Sequence, residues 1–405
     1  MNRRSSALVA ALCAAGVVVA GCAPEAPETV NPVAQTQQQE PLAPIVTVDD
    51  GATISPSRQI SVTAPDSTLN DVTLTNELGV LIGSLTGEGE LQSSVSENTW
   101  TLEEPLGYSH QYTLTATDAN GVSTTTKFTT LTPQSTTNVI YTQPAAGSTV
   151  GIGSTINFRF NQSIPDSAKQ EIEDSITVET SPATEGALYW VNDTEVRWRP
   201  KEYWQPGTTV HAELSQFGKN FGGGIYGGDD ASTDFTIGDA MVAHADDNTH
   251  MLTVTKNGET IKEIPISMGM NTPAFVTPNG VYTIGAEFNT LVMDSETFGL
   301  PHEAGGYVTT VQYATQMSYS GIYVHAAPWS VGVQGYANAS HGCLNMSTAN
   351  AKWFMDNFTS GDIVTVSNTV GGTTLNPYDG LGDWNFSWEE ISGDPHSVTK
   401  LTPQV

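Results

Sequence analysis

A repeated short-range alternation constrains this chain most. Gln59-Ile60-Ser61-Val62, Val72-Thr73-Leu74-Thr75 and Tyr112-Thr113-Leu114-Thr115-Ala116 each place an apolar side chain at every second position, and turn formers such as Asp118-Ala119-Asn120-Gly121 close the runs. A period of two sends successive side chains to opposite faces, the signature of half-buried strands rather than helices. The chain has 405 residues, including 38 Gly and 22 Pro. It is therefore too long for one ordinary core and rich in turns, and several β-rich domains are expected. Lys and Arg number 14 against 43 Asp and Glu, a net charge of −29. Such a chain repels nucleic acid. It also repels an anionic membrane surface, so membrane attachment requires a covalent or hydrophobic anchor.

The amino terminus offers such an anchor. Met1-Asn2-Arg3-Arg4 is a short positive region and Ala7 to Ala20 is small and apolar, so residues 1–21 read as a signal peptide rather than a membrane span. Val19-Ala20-Gly21-Cys22 resembles a bacterial lipobox, with cleavage before Cys22 and acylation of its thiol. Multiple acyl chains give stable anchoring. Residues 22–44, dominated by Pro, Gln and Glu, are expected to form a lipidated, disordered tether. Residues 45–135 and 138–240 read as two β-sandwich modules, immunoglobulin-like in shape, with strands Thr155-Ile156-Asn157-Phe158-Arg159-Phe160 and Thr194-Glu195-Val196-Arg197-Trp198-Arg199-Pro200 in the second. Trp190, Trp198 and Trp204 are core candidates, and Gly222–Gly228 is a loop, since no Lys-Ser/Thr follows it to hold phosphate.

Residues 241–370 differ, because the chemistry-bearing side chains gather there. Strands are expected at Met251–Val254, Lys262–Ile266, Val281–Ile284, Ile322–His325 and Ile363–Val366, with one helix after Ser347 or Thr348. Of three cysteines, Cys13 lies in the signal segment and Cys22 in the lipobox, which leaves Cys343 in Ser340-His341-Gly342-Cys343-Leu344-Asn345 as the remaining thiol. A thiol needs a base or a cationic neighbour to become nucleophilic at neutral pH, and His325 and His341 are candidates. If Ser340–Cys343 is extended, His341 and Cys343 share a face. The N–H groups of Gly342 and Cys343 are expected oxyanion donors. A zinc site built from His302, His325, His341 and Cys343, and a buried structural cysteine, are the other readings of these residues. Glu287 to Ser320 is expected to be a loop-like lid with hinges at Gly299, Gly305 and Gly306.

These residues resemble the L,D-transpeptidase family of cell-wall enzymes, whose YkuD-type domain carries a His, a spacer and Ser/Thr-His-Gly-Cys-apolar-Asn. Here His325 precedes Ser340–Asn345 by fourteen intervening residues. Thr277-Pro278-Asn279-Gly280, Met293-Asp294-Ser295 and Tyr319-Ser320-Gly321 look familial as well. With the lipobox, the two immunoglobulin-like modules and the tail Gly380–Trp388, the likeness is to the mycobacterial and corynebacterial branch. The resemblance implies a mainly β fold: two Ig-like sandwiches, then a YkuD-type catalytic domain with one main helix, then a carboxy-terminal extension at 371–405 packing on the catalytic domain.

It further implies a cysteine acyltransferase of peptidoglycan synthesis, working in cell-wall biogenesis and cell shape. Cys343 attacks a tetrapeptide stem, D-Ala leaves, and a thioester passes the acyl group to a neighbouring diaminopimelate amine, giving a 3→3 cross-link. His325 is the implied acid/base, His341 with the Gly342 and Cys343 amides shape the site, and Ser340, Tyr307, Ser320, Gly321 and Asn345 line the cleft, with Met293, Phe298 and Trp329 on lid or wall. Carbapenems would acylate the same Cys343. No metal or nucleotide cofactor is implied. The expected location is the outer face of the cytoplasmic membrane, facing the cell wall. The family often has Ser after the catalytic His where this chain has Ala326, and Phe298 stands where related sequences carry Tyr. An L,D-carboxypeptidase with water as acceptor, and a non-catalytic peptidoglycan-binding lipoprotein, are the competing functions.

Overall fold

A computed structural model describes residues 40–393. The expectations for the signal peptide, for Cys22 and for most of the tether fall outside the described residues. The alternating runs form the strands they predict. Ser61–Thr63, with Ile45–Val46, Thr99–Leu102 and Ser93–Ser96, makes one sheet; Thr53–Ile54, Ser123–Thr130, Gln111–Asp118, Leu69–Asn76 and Leu81–Ser84 make the facing sheet. Val62, Trp100, Val72, Leu74, Leu114 and Phe128 fill the space between them.

The second sandwich repeats this logic. Val139–Gln143, Ile156–Phe160, Glu195–Pro200 and Gly186–Asn192 face Thr149–Val150, Ala231–Ile237, Thr209–Leu214 and Ile176–Ser181. Trp190, Trp198 and Trp204 are core residues here, as expected. The glycine-rich segment is a joint between the two sandwiches. Ile225–Gly227 pairs in parallel with Ser135–Thr137, and the Tyr108 hydroxyl donates to the Gly227 carbonyl at 2.7 Å. A Cβ on Gly227 would lie 1.8 Å from the Gln216 carbonyl oxygen, so only glycine fits.

The third module holds two sheets. One orders Glu259–Pro265, Met251–Lys256, Met241–Asp246, Ile363–Ser367 and Gly280–Thr283; the other orders Glu287–Asp294, Val308–Gln316, Tyr323–Ala326 and Leu344–Met346. Ser267 and Asn345 exchange backbone hydrogen bonds of 3.1 and 2.9 Å, which ties the end of the second sheet to the segment leaving the first. The helix Thr348–Asn357, capped by the Ser347 hydroxyl on the Asn350 N–H, buries Ala351 and Phe354 against Val324 and Leu344.

Residues 287–320 are not the expected open loop. Glu287–Asp294 and Val308–Gln316 form a long antiparallel hairpin, and only its tip, with the 3-10 turns Ser295–Phe298 and His302–Ala304, is irregular. Its alternation was masked because much of the hairpin faces solvent; Val292 and Val308 are both exposed. Gly299 and Gly305 close the two turns in the left-handed region, at φ of 88° and 93°.

The carboxy-terminal segment also reaches further than expected. Asn385 hydrogen-bonds the N–H and carbonyl of Val281 in the third module. Its neighbours grip the second sandwich instead. The Trp384 indole donates to the Gly153 carbonyl at 2.8 Å and carries the Arg199 guanidinium 4.3 Å from its ring. Asp383 accepts from the Tyr189 hydroxyl at 2.7 Å and from Arg197 at 2.6 Å. The tail is thus a strap across two modules. Gly151 and Gly153 of the sandwich also donate to the carbonyls of Ser360 and Gly361.

Candidate active site

Tyr323–Ala326 and Leu344–Met346 lie side by side in parallel, with His325 opposite Asn345. Val324, Ala326, Leu344 and Met346 point into the core under the helix. The alternation therefore turns Tyr323, His325 and Asn345 to the other face, where Cys343 packs with Met293, Val311, Ala314, Tyr307 and Tyr323. A crossover of 17 residues, 327–343, returns the chain to the same sheet edge, and the fourteen-residue motif spacing between His325 and Ser340 covers most of it.

The motif itself is bent rather than extended, with Leu344 beginning the strand. Gly342 sits at φ 132°, a region other residues rarely adopt. The Ser340 hydroxyl holds the bend from inside, accepting from the Gly342 N–H at 3.1 Å and donating to the Cys343 carbonyl at 2.6 Å. From outside, the Thr277 hydroxyl donates to the Gly342 carbonyl at 2.8 Å while accepting from the Gly269 N–H. Two expectations change as a result. His341 and Cys343 do not lie in a strand; the His341 ring lies 5.0 Å from that of Tyr307, which also packs with Cys343, and 4.5 Å from that of Phe275. The Gly342 N–H is already engaged, so of the two expected oxyanion donors the Cys343 N–H is the one without a hydrogen-bond partner among the described residues.

Cys343 is 7 % exposed. Its Sγ contacts the Gly321 carbonyl at 3.7 Å and receives the Tyr323 N–H. Burial pushes the thiol up to about 11, against the partial relief from that N–H. His325 is also buried, and burial holds its imidazole below the ordinary value. Its Nδ1 lies 3.0 Å from the Ala326 carbonyl, so Nδ1–H donates there and Nε2 keeps the basic lone pair. A backbone carbonyl performs this orientation, so Ala326 serves as well as Ser would. Burial also lowers His341. Tyr307 is raised to about 12 by burial and then by the neighbouring Cys343; Tyr323 is raised by the same two causes. No hydrogen bond joins Sγ to either histidine among the described residues. The resting pair is neutral thiol and neutral imidazole.

The remaining expected residues divide. Met293 and Tyr307 are in the cluster with Cys343, and Gly321 touches its sulfur. Trp329 is 60 % exposed, its ring 6.2 Å from that of His325, on the open side of the site. Asn345 is buried and donates to the Ser330 hydroxyl at 3.3 Å, which supports the crossover. Ser320 binds Asp379 through both its N–H and its hydroxyl, at 2.6 Å each. The side chain of Phe298 lies outside what is described. His302 is held by Asp294 at 2.7 Å and faces Glu296 at 3.5 Å, so the four ligands of the zinc reading are not brought together.

Three contributors escaped the sequence reading: Thr277, Tyr323 and Asp379. A threonine before proline signals an extended residue but not a buried hydroxyl bridging two loops. Tyr323 sits one strand position before the alternation makes it visible, and Asp379 is distant in sequence.

Known proteins share this arrangement. Residues 240–366 match the L,D-transpeptidase catalytic domain, and residues 51–220 match a bacterial Ig domain. The chain is 44 % identical over 348 residues to L,D-transpeptidase 2 of Mycobacterium tuberculosis, covering 85 % of this chain and 82 % of that one. This chain belongs to the L,D-transpeptidase family. L,D-transpeptidase 5 of the same species, at 32 % identity, covers 87 % of this chain and 77 % of its own length. A solved member of the family, an L,D-transpeptidase in complex with imipenem, superposes with a TM-score of 0.50 at 36 % identity, over 58 % of this chain and all of that one. The family is one of transpeptidases, so the chemistry to be placed on this site is acyl transfer.

Proposed function

We propose that this L,D-transpeptidase forms 3→3 peptidoglycan cross-links through a thioester on Cys343, in cell-wall biogenesis. The observation that carries the reading is the shared face: a buried thiol, one residue before its strand, and a histidine with its basic Nε2 free on the adjacent strand, beside the uncommitted Cys343 amide. Substrate entry brings the third stem residue's carbonyl to Sγ. His325 takes the thiol proton as sulfur attacks, so the neutral pair becomes reactive only when the electrophile is present. The Cys343 N–H stabilises the developing oxyanion. The D-Ala nitrogen leaves with the proton from His325, and the thioester remains. A diaminopimelate amine from a second stem then attacks the thioester, gives its proton to His325, and the proton returns to sulfur. Met293, Tyr307 and Trp329 bound the cleft in which this occurs, and His341 with Tyr307 links it to the lid hairpin. A carbapenem would acylate Cys343 through the first half of the same sequence, in line with the imipenem complex of the relative.

Acylation at Cys22 would tether this chemistry to the outer membrane face, and fractionation of Cys22→Ser would release the chain from membranes if that holds. The purified full chain in detergent, incubated with disaccharide-tetrapeptide, should yield a dimer lacking one D-Ala by mass. A tripeptide monomer would instead identify a carboxypeptidase, and unchanged substrate a binding protein. Cys343→Ala should lose turnover by about 10³-fold or more; full turnover would sink the mechanism.

A further inference from the structure

The two groups hydrogen-bonded to the Cys343 sulfur, the Gly321 carbonyl and the Tyr323 N–H, lie in and just after one tight turn between Val308–Gln316 and Tyr323–Ala326. Inside the turn, the Ile322 N–H donates to the Ser318 hydroxyl at 3.1 Å and Met317 N–H to the Ile322 carbonyl at 2.8 Å. The Ser318 and Ser320 hydroxyls also lie 3.0 Å apart, and Gly321 stands at φ 96°, a conformation that glycine permits. The outer restraint comes from elsewhere. The Asp379 carboxylate accepts from the Ser320 N–H through Oδ1 and from the Ser320 hydroxyl through Oδ2, both at 2.6 Å, while its carbonyl accepts the Tyr319 N–H at 3.0 Å. Gly380, next in sequence, bridges to Ser318. Three consecutive residues before Gly321 are thereby fixed by the carboxy-terminal strap, and charge-assisted bonds of this length are strong.

We propose that Asp379 is a positioning residue for acyl transfer: by clamping Ser320 it sets the Gly321 carbonyl and the Tyr323 N–H against the Cys343 sulfur. The proposal rests on the reading of Cys343 as nucleophile. Ser320 is then a partner of the strap rather than a group free to bind substrate. The strap is itself seated on the second sandwich through Asp383 and Trp384, so the placement of the thiol's neighbours depends on a module that carries none of the chemistry.

The test measures the thiol without substrate. Cys343 in the full chain is alkylated with iodoacetamide from pH 6 to 10 and followed by mass, alongside turnover of disaccharide-tetrapeptide. In Asp379→Ala the released turn admits solvent to the buried sulfur. Alkylation at neutral pH should rise by about threefold or more while kcat falls about tenfold, with KM little changed. Asp379→Asn, which keeps one acceptor, should fall between. Where Asp379→Ala fails to fold, Ser320→Ala removes the hydroxyl clamp together with its 3.0 Å contact to Ser318, keeps the N–H bond to Asp379, and should move both readouts the same way, by less. An unchanged alkylation profile in a folded variant overturns the proposal, as does a fall in alkylation, kcat and thermal stability together. Absent turnover in the unaltered enzyme, with normal alkylation shifts in the variants, would count against the transpeptidase reading and not against the clamp.

Discussion

Burial, more than any one neighbour, favours the protonated form of Cys343. Burial raises the thiol to about 11 while it lowers His325, so an ion pair between them is disfavoured from both sides. The sign for reactivity follows. In the free enzyme, alkylation should keep rising above pH 8 with no plateau near neutrality, whereas the acid limb of kcat/KM should fall below the ordinary histidine value of about 6.5. A thiol alkylation plateau centred near pH 6 would reveal a preformed ion pair. Thr277 makes a second residue-scale case. Its hydroxyl serves Gly269 and Gly342 at once, so Thr277→Val leaves a buried N–H and a buried carbonyl without partners. We expect a loss of about 2 kcal/mol in denaturant unfolding and a larger proportional loss in kcat than in KM.

At the scale of elements, the site is two parallel strands joined by a 17-residue crossover, covered by a hairpin. The hairpin is a built structure with a soft end, since its paired arms pack on Cys343 through Met293 and Val311 while its glycines sit at the tip. Open space surrounds the place a Cβ would take on Gly305, so Gly305→Ala introduces backbone strain without a clash. It should cost about 1 kcal/mol and speed amide exchange in residues 295–306 without altering the helix Thr348–Asn357. Sequence reading placed the strands and that helix because their alternation and caps are local signals. It missed the hairpin because exposed apolar positions such as Val292 and Val308 broke the inward-outward rhythm on which the reading depends.

At the scale of the molecule, the second sandwich, the catalytic module and the strap meet around close backbone contacts. A Cβ on Gly361 would lie 1.9 Å from the Ser154 hydroxyl, which shows how near the two modules approach. Asp362 is buried in that junction. Burial raises it to about 7, reinforced by Glu287 and Asp239 and opposed by the Thr359 N–H it accepts. A raised carboxyl favours the protonated native state. Its stabilising contribution is therefore complete below the ordinary value of 3.8 and is lost as pH rises through about 7. Asp362→Asn, permanently neutral, should match the unaltered chain near pH 4 and exceed it by about 4 kcal/mol at pH 8, read from thermal unfolding. Equal pH dependence in the two proteins would remove Asp362 from the junction's balance.

By itself the sequence determined a β-rich series of modules and the candidates for the reacting groups, because alternation, turn chemistry and the His325 to Cys343 spacing are written in contiguous residues. Only the tertiary structure decided the state of those groups. The Gly342 amide is taken by Ser340, the thiol is neutral, His325 is oriented by a carbonyl, and Asp379 reaches the site from the tail. Burial sets protonation, and hydrogen bonds that depend on the folded path of the chain, from the bend at Ser340–Gly342 to the Asp379–Ser320 clamp across 59 residues, set orientation. Neither leaves a mark on any local stretch of chain.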